Sequence, residues 1–551
     1  MHTLISGHTD KKNDESSTKS DRVELFPIIN VRFVDFDHPQ PIKSITLSNF
    51  NKFVVVQGVV TRTANIGPKC LSLSFECTTC SNIQTLILPD DGSYLNPDCC
   101  GDLECKGRIF KPILSSTDHS ANHQPRTVDR CRLILRDEDE LCKSSSDFDH
   151  TERVGEPPTL ECELTDDLAN SCPIPGSFVI VCGVLKLQAL QSENRRSSKG
   201  GQQNSFKMIL HVNSIRLNCR ERLDSFETQL TFSQRQNKGE DLIDYVKNSS
   251  NVFGLLIDSL CPHIYGYQFI KAGLLLALVG SGREQDDRNQ FRDTIHVLII
   301  GDPGLGKTHL LQACALTSPR GIYLSGNTTT VAGLTVALNR DNGKASCGND
   351  VAVEAGALVM ADGGCCCLDE FDKMSMQHHN ALLEAMEQQQ VSVAKAGAHC
   401  QFPARTSIVA AANPIGGRYN DKSLSASLSN SSPPCAFSST KFLRPLLNRF
   451  DLIFSLCDYA NSERDRAITE HLMRARNNDD CKKNILSVDE LRHYIAKVKE
   501  QLAPTMDVKA ARILLNYFES ICRSKPNSNE NAIVGNYVKK QYEIEHSPMM
   551  C

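Results

Sequence analysis

Gly301-Asp302-Pro303-Gly304-Leu305-Gly306-Lys307-Thr308 sets glycines, a lysine and a hydroxyl at the spacing of a phosphate-binding loop. Successive backbone N–H groups of such a loop wrap a β-phosphate, Lys307 reaches the terminal phosphates and the Thr308 hydroxyl holds Mg²⁺. His309 continues the same nucleotide-contacting run, and a helix starting near Lys307 turns its positive dipole end toward the anion. Downstream, the adjacent carboxylates Asp369 and Glu370 supply what phosphoryl transfer asks for, one group beside the metal and one to orient the attacking water. Asn413 adds a neutral polar group that can place that water or sense the γ-phosphate. A second chemistry lies in Cys77-Thr78-Thr79-Cys80, Cys99-Cys100 and Cys105, two thiolate pairs of the kind a tetrahedral four-sulfur zinc site uses. The set chosen is Cys77, Cys80, Cys100 and Cys105, with Cys99 competing for the third position; with no histidine among the ligands, the zinc is structural.

These residues need particular elements beneath them. The run His296 to Ile300 reads as a buried strand and His309 to Leu316 as a helix, so the loop sits between strand and helix as a nucleotide site requires. Gly364 to Leu368 is a small apolar strand that runs into Asp369, and Ser407 to Ala412 is another that delivers Asn413 to the strand-end edge, where ligands of open α/β sheets bind. Val252 to Leu260 and Phe269 to Val279 have helical apolar spacing. Toward the N-terminus, Phe53 to Val60, Phe178 to Leu185 and Phe206 to Ile215 are strand-like, the pattern of a small β-barrel. Residues 113–158 are polar and read as a long loop. Arg195, Arg196 and Lys199 lie between two of the strands in a basic, glycine-rich hairpin tip, suited to phosphate contact or simply to a solvated turn.

A chain of 551 residues has room for three or four domains, and its net charge of −5 gives no global attraction to nucleic acid or membrane. Nucleic-acid contact must therefore come from local basic patches. No stretch approaches about 18 consecutive apolar residues and no secretory signal pattern opens the sequence, so the 24 cysteines are expected to be mostly reduced in a soluble intracellular protein. The expected divisions are a disordered tail over 1–20, a β-barrel domain over 21–220 with the cysteine insertion at about 77–105, and a linker over 221–240. An ATPase core over 241–470 and a partial helical lid with a divergent tail over 471–551 complete them. The Ser/Asn/Pro-rich stretch from Lys422 to Lys441 is expected to be disordered.

Gly301 to Thr308, Leu368-Asp369-Glu370-Phe371-Asp372-Lys373-Met374, Glu384-Ala385-Met386-Glu387-Gln388-Gln389, Ala394-Lys395-Ala396-Gly397 and Asn448-Arg449-Phe450-Asp451 together resemble the MCM (minichromosome maintenance) helicases of the AAA+ class. The resemblance covers about residues 50–520, and the Gly-Leu-Gly-Lys form of the loop is most similar to the family's recombination-associated eighth paralogue. It implies a multidomain fold, an N-terminal OB-type β-barrel with a zinc knuckle joined to a C-terminal α/β AAA+ P-loop ATPase. It implies ATP and Mg²⁺ at Lys307, Thr308 and Asp369, structural Zn²⁺, Glu370 as the water-polarising group and Asn413 as the first sensor. Arg449 falls where the family places an arginine finger offered to the neighbouring subunit. Lys395 falls in a pre-sensor hairpin that grips DNA backbone, Arg195, Arg196 and Lys199 in a channel-facing hairpin, and Arg340 and Lys344 in a helix-two insert at about Leu334 to Val353.

The implied partners are single-stranded or forked DNA and either a second MCM paralogue or the chain itself in a hexameric ring, with no membrane. The implied role is a nuclear ATP-dependent helicase in homologous recombination, meiotic recombination or DNA repair. A weakly hydrolysing ring scaffold and a replicative licensing subunit stand as alternatives. One element of the family pattern is not recognisable: the Thr-x-Arg second-sensor helix expected after Ala510-Ala511-Arg512-Ile513-Leu514-Leu515.

Overall fold

The computed structural model describes residues 2–6, 30–34, 38–88, 96–102, 105, 107–113, 125–137, 158–189, 206–217, 242–248, 251–280, 292–340, 351–395, 398–414, 444–456, 458, 462–476, 485–501 and 507–523. They fall into two units: residues 1–138, 154–219 and 338–354 form the first, the remainder the second.

In the first unit, strands β1 (His2–Ser6) and β2 (Asn30–Val34) form an antiparallel pair. The strands β3 (Phe53–Thr63), β4 (Gly67–Cys77), β5 (Ile83–Ile87), β6 (Phe110–Pro112), β7 (Arg126–Arg136), β8 (Thr159–Thr165), β9 (Phe178–Ala189) and β10 (Phe206–Leu217) follow. Strand β3 pairs with both β9 and β7, β9 with β10, β10 in parallel with β8, and β8 with β7, so five strands close on themselves as an OB-type barrel. Their alternate residues fill it; Val56, Val60, Leu133, Leu135, Leu164, Val181 and Leu210 are all buried. Strand β4 leaves the barrel at β7 and carries β5 and β6 on its far end, making the arm that holds the cysteines.

Two expectations need correction here. Residues 113–158 contain β7, whose Cys131, Leu133 and Leu135 point into the barrel while the intervening arginines face outward, so its overall polarity disguises a half-buried strand. His2–Ser6, placed in a structureless tail, pairs with β2; Ile5 opposite Val31 and Thr3 opposite Phe33 are cross-strand pairs of the kind that stabilise a short ladder. The basic tip Arg195, Arg196 and Lys199, the stretch Lys422 to Lys441 and Lys344 lie outside the described residues.

In the second unit, helices α1 (Leu242–Asn248), α2 (Val252–Leu260) and α3 (Gln268–Val279) precede strand β11 (Val297–Gly301) and helix α4 (Lys307–Thr317). Strand β12 (Gly321–Ser325) and the insert strands β13 (Val336–Arg340) and β14 (Val351–Ala355) come next. Residues 338–354 of that insert belong to the first unit, where Val353 stands opposite Thr63 on β3. Then follow β15 (Cys365–Asp369), α5 (Met376–Gln388), the hairpin β16 (Gln390–Lys395) and β17 (Ala398–Pro403), β18 (Ser407–Ala412) and β19 (Leu452–Leu456). Helices α6 (Ser462–Arg476), α7 (Val488–Gln501) and α8 (Val508–Arg523) end the described chain. The main sheet is wholly parallel in the order β12-β15-β18-β11-β19. Val297 to Ile300 and Ile408 to Ala412 are buried along their whole length, as strands covered on both faces must be.

Candidate nucleotide site and zinc arm

Strands β11, β15 and β18 are neighbours and parallel, so their C-terminal ends bring the phosphate-binding loop, Asp369 and Asn413 to one edge. The loop between β11 and α4 depends on its glycines. A Cβ on Gly301 would lie 2.5 Å from Leu456 Cβ and 2.7 Å from its carbonyl oxygen, while Gly304 and Gly306 adopt φ of +87° and +81°. Gly306 packs on Ile264, in a loop fixed from behind by the buried ammonium of Lys271, which donates to Cys261 O at 2.9 Å and Ile264 O at 2.8 Å. Lys271 is a supporting residue that sequence reasoning missed, since nothing in its spacing marks a buried cation on an apolar helix.

Lys307 starts α4 and is 8 % exposed. Its ammonium donates to the Gly301 carbonyl, to the Asp302 carbonyl at 2.8 Å and to Asn413 Oδ1 at 2.9 Å. Burial holds its pKa below the usual lysine value, and the carboxylates of Asp302, Asp369 and Asp372 oppose that shift. Thr308 Oγ1 donates to Asp369 Oδ2 at 2.7 Å, Tyr323 Oη to the same oxygen at 2.9 Å, and Glu370 N to Asp369 Oδ1 at 2.8 Å. Lys307 with Asn413 and Thr308 with Asp369 thus form two hydrogen-bonded pairs at the ends of neighbouring strands, and the Asp369 carboxylate acts on the Lys307 ammonium through its charge.

Glu370 sits next to it in a left-handed conformation with φ +51°, a strained placement for a glutamate that is often associated with functional positions. Its carboxylate pairs with Lys373 at 2.8 Å. Asp372 accepts from Asn413 N at 3.1 Å and ties the two strand ends together. Tyr323, Asp372 and Lys373 carry no sequence signal of their own, although the latter two lie inside the Asp-Glu-Phe-Asp-Lys-Met string. Pro303 and Leu305 lie within the loop, His309 in the first turn of α4, and Asp302 Oδ2 accepts from Asp458 N at 3.3 Å.

A glycine loop with two positive-φ positions, a buried lysine and a hydroxyl–carboxylate pair fit a magnesium-bound triphosphate, and a Cβ at Gly301 would intrude on the loop that cradles it. Thr308 and Asp369 would hold Mg²⁺, which when bound would supply Lewis-acid stabilisation of charge developing on the phosphoryl oxygens. Among the described residues Arg449 is not bonded to Lys307, Thr308, Asp369 or Asn413; it pairs at 2.7 Å with Glu387 on α5. Lys395 is the last residue of β16, opposite Ala398.

In the first unit the sulfurs of Cys77, Cys80, Cys100 and Cys105 lie within 4.8 Å of one another, and Cys99 is not a member of the group. The separations Cys80–Cys100, 3.5 Å, and Cys77–Cys105, 3.9 Å, bracket the roughly 3.8 Å between ligands of a tetrahedral site with bonds of about 2.3 Å. Backbone N–H groups of Cys80 and Thr79 hold the Cys77 thiol down to about 6, favouring the thiolate that metals bind. A Cβ at Gly107 would stand 2.7 Å from Cys77 Sγ and 3.2 Å from Cys105 Sγ, so this position must be glycine for the sulfurs to converge. The donor set fits a structural zinc ion.

Comparison with known proteins agrees with this geometry. A family model for the MCM OB domain matches residues 41–189 and one for the MCM P-loop domain matches residues 239–476, together well over half of the chain. The chain is similar to a DNA helicase MCM8 of Gallus gallus, 40% identical over 82% of this chain and 51% of the relative. It is 35% identical to the DNA helicase MCM8 of Homo sapiens over 92% of this chain and 62% of the relative. A probable DNA helicase MCM8 of Oryza sativa subsp. indica is 38% identical, over 82% and 54% respectively. The chain therefore spans about half the length of the curated relatives it matches.

Proposed function

The chain belongs to the MCM family, and on that premise we propose that it is an ATP-hydrolysing DNA-helicase subunit that acts within a ring of MCM chains, in the nucleus, in recombination or repair. The observation that carries this reading is the pair of hydrogen bonds Lys307–Asn413 and Thr308–Asp369 at the ends of adjacent parallel strands, with Glu370 beside Asp369. Lys307 neutralises the terminal phosphates, Thr308 and Asp369 hold Mg²⁺, Glu370 takes the proton of the attacking water, and Asn413 holds Lys307 and the γ-phosphate in register.

Each catalytic set is completed by an arginine from the next chain. Arg449 is the candidate, and its pairing with Glu387 keeps the guanidinium at the end of α5. Lys395, Arg340 and Lys344, with Arg195, Arg196 and Lys199, are the proposed contacts to DNA backbone, each weak alone and multiplied around a ring into a salt-sensitive, sequence-independent grip. The cysteine arm binds one structural Zn²⁺.

The test is DNA-stimulated ATP hydrolysis by the purified chain with and without a co-assembling MCM paralogue. Glu370→Gln is expected to lower turnover at least about 10²-fold while nucleotide still binds. Undiminished turnover would overturn the assignment of Glu370, and ATP-dependent ring assembly without any turnover in the unsubstituted chain would favour a scaffold.

A further inference from the structure

Tyr323 lies on β12 opposite Cys367, two residues before Asp369 on the adjacent strand, with its ring packed on the α/β core. Its hydroxyl reaches along the strand to Asp369 Oδ2 at 2.9 Å. A carboxylate offers about four acceptor positions, two on each oxygen. On Asp369, Oδ2 takes Thr308 Oγ1 at 2.7 Å and Tyr323 Oη at 2.9 Å, and Oδ1 takes Glu370 N at 2.8 Å. Among the described residues, these three donors leave a single position, on Oδ1.

We propose that Tyr323 is the positioning residue of the magnesium site, fixing the Asp369 carboxylate so that one acceptor position on Oδ1 remains for the cation and its hydration shell. The inference rests on the ATPase reading above. Magnesium demands near-octahedral geometry and gives up water reluctantly, so a carboxylate able to turn about its Cβ–Cγ bond would bind it less well than one held still. Thr308 Oγ1 is itself a proposed metal ligand and Glu370 N holds only Oδ1, so Tyr323 is the side chain that holds Oδ2 without also taking the cation.

The experiment uses the full chain and Tyr323→Phe, which keeps the ring and removes only the hydroxyl. Binding of a fluorescent ADP is titrated with Mg²⁺, and Mn²⁺ binding in the presence of ADP is followed by electron paramagnetic resonance. Tyr323→Phe is expected to raise the half-saturating concentration of either metal about tenfold, with nucleotide affinity in metal-free buffer changed less than about twofold. In an Asp369→Asn background the same substitution is expected to have no further effect on the metal titration. Superimposable titrations of Tyr323→Phe and the unsubstituted chain, or an equal loss in both backgrounds, would overturn the role of Tyr323. Nucleotide binding by the unsubstituted chain that ignores Mg²⁺ altogether would overturn the ATPase reading and this inference with it.

Discussion

Lys307 holds its charge in a place where burial works against it, and three carboxylates and three oxygen acceptors keep it there. Its position, with Thr308, Asp369 and Asn413, was legible from motif spacing, because the phosphate-binding loop and the two strand-end polar groups are local patterns. Tyr323, Lys271 and Asp372 were not, because each acts across strands or loops that only the folded sheet brings together.

His296, at the foot of β11, makes a prediction of its own. Its Nδ1 accepts from Ile408 N at 3.1 Å. Burial, with Arg292 adding to it, holds its pKa down to about 3, against about 6.5 in an unfolded chain. The unfolded chain therefore takes up a proton below about pH 6.5 that the folded one refuses, so this stability is intact above about 6.5 and declines by up to about 1.4 kcal/mol per pH unit as acid is added. His379, also lowered by burial, acts with the same sign. His296→Gln, which keeps an acceptor for Ile408 N, is expected to flatten the dependence of urea-unfolding stability on pH between 7 and 5; parallel slopes for the two proteins would rule out His296 as a source.

Among the elements, the parallel strands read easily because they are continuous apolar runs, and β7 did not because its outward face is charged. That face is a cross-strand ladder: Glu163 pairs with Lys69 at 2.8 Å and lies 3.8 Å from Arg130, and Glu161 lies 3.5 Å from Arg132. The arginines that disguise β7 as a loop are thus partners of β8, a relation invisible in either segment alone.

The cysteine arm leads to a prediction at Gly107, where an added Cβ would meet Cys77 Sγ at 2.7 Å. Gly107→Ala is expected to release zinc at chelator concentrations that leave the unsubstituted chain loaded, with a weakening of about tenfold or more. Equal zinc retention would remove the arm's claim to a built site. In the second unit, Arg492 on α7 donates twice to Leu316 O, at 2.8 and 2.6 Å, and so caps the last turn of α4. Arg492→Ala should lower the unfolding free energy by about 1–2 kcal/mol in denaturant titrations, a cost that Arg492→Lys recovers in part. No change in midpoint would show the cap to be without consequence.

For the molecule as a whole, the two units divide the labour, a barrel with a cysteine arm and a parallel α/β sheet with a nucleotide edge. The assembly is implied by the family resemblance alone, since Arg449 and Lys307 are residues of one chain whose proposed work is done between two. The most direct test of that claim is ATP hydrolysis in rings mixed from two inactive chains, Lys307→Ala and Arg449→Ala. Each alone lacks one half of every site. In random equal mixtures about one interface in four joins an intact Lys307 to an intact Arg449, so turnover is predicted to return to about a quarter of the unsubstituted level. A mixture as inactive as its components would contradict a site shared between chains.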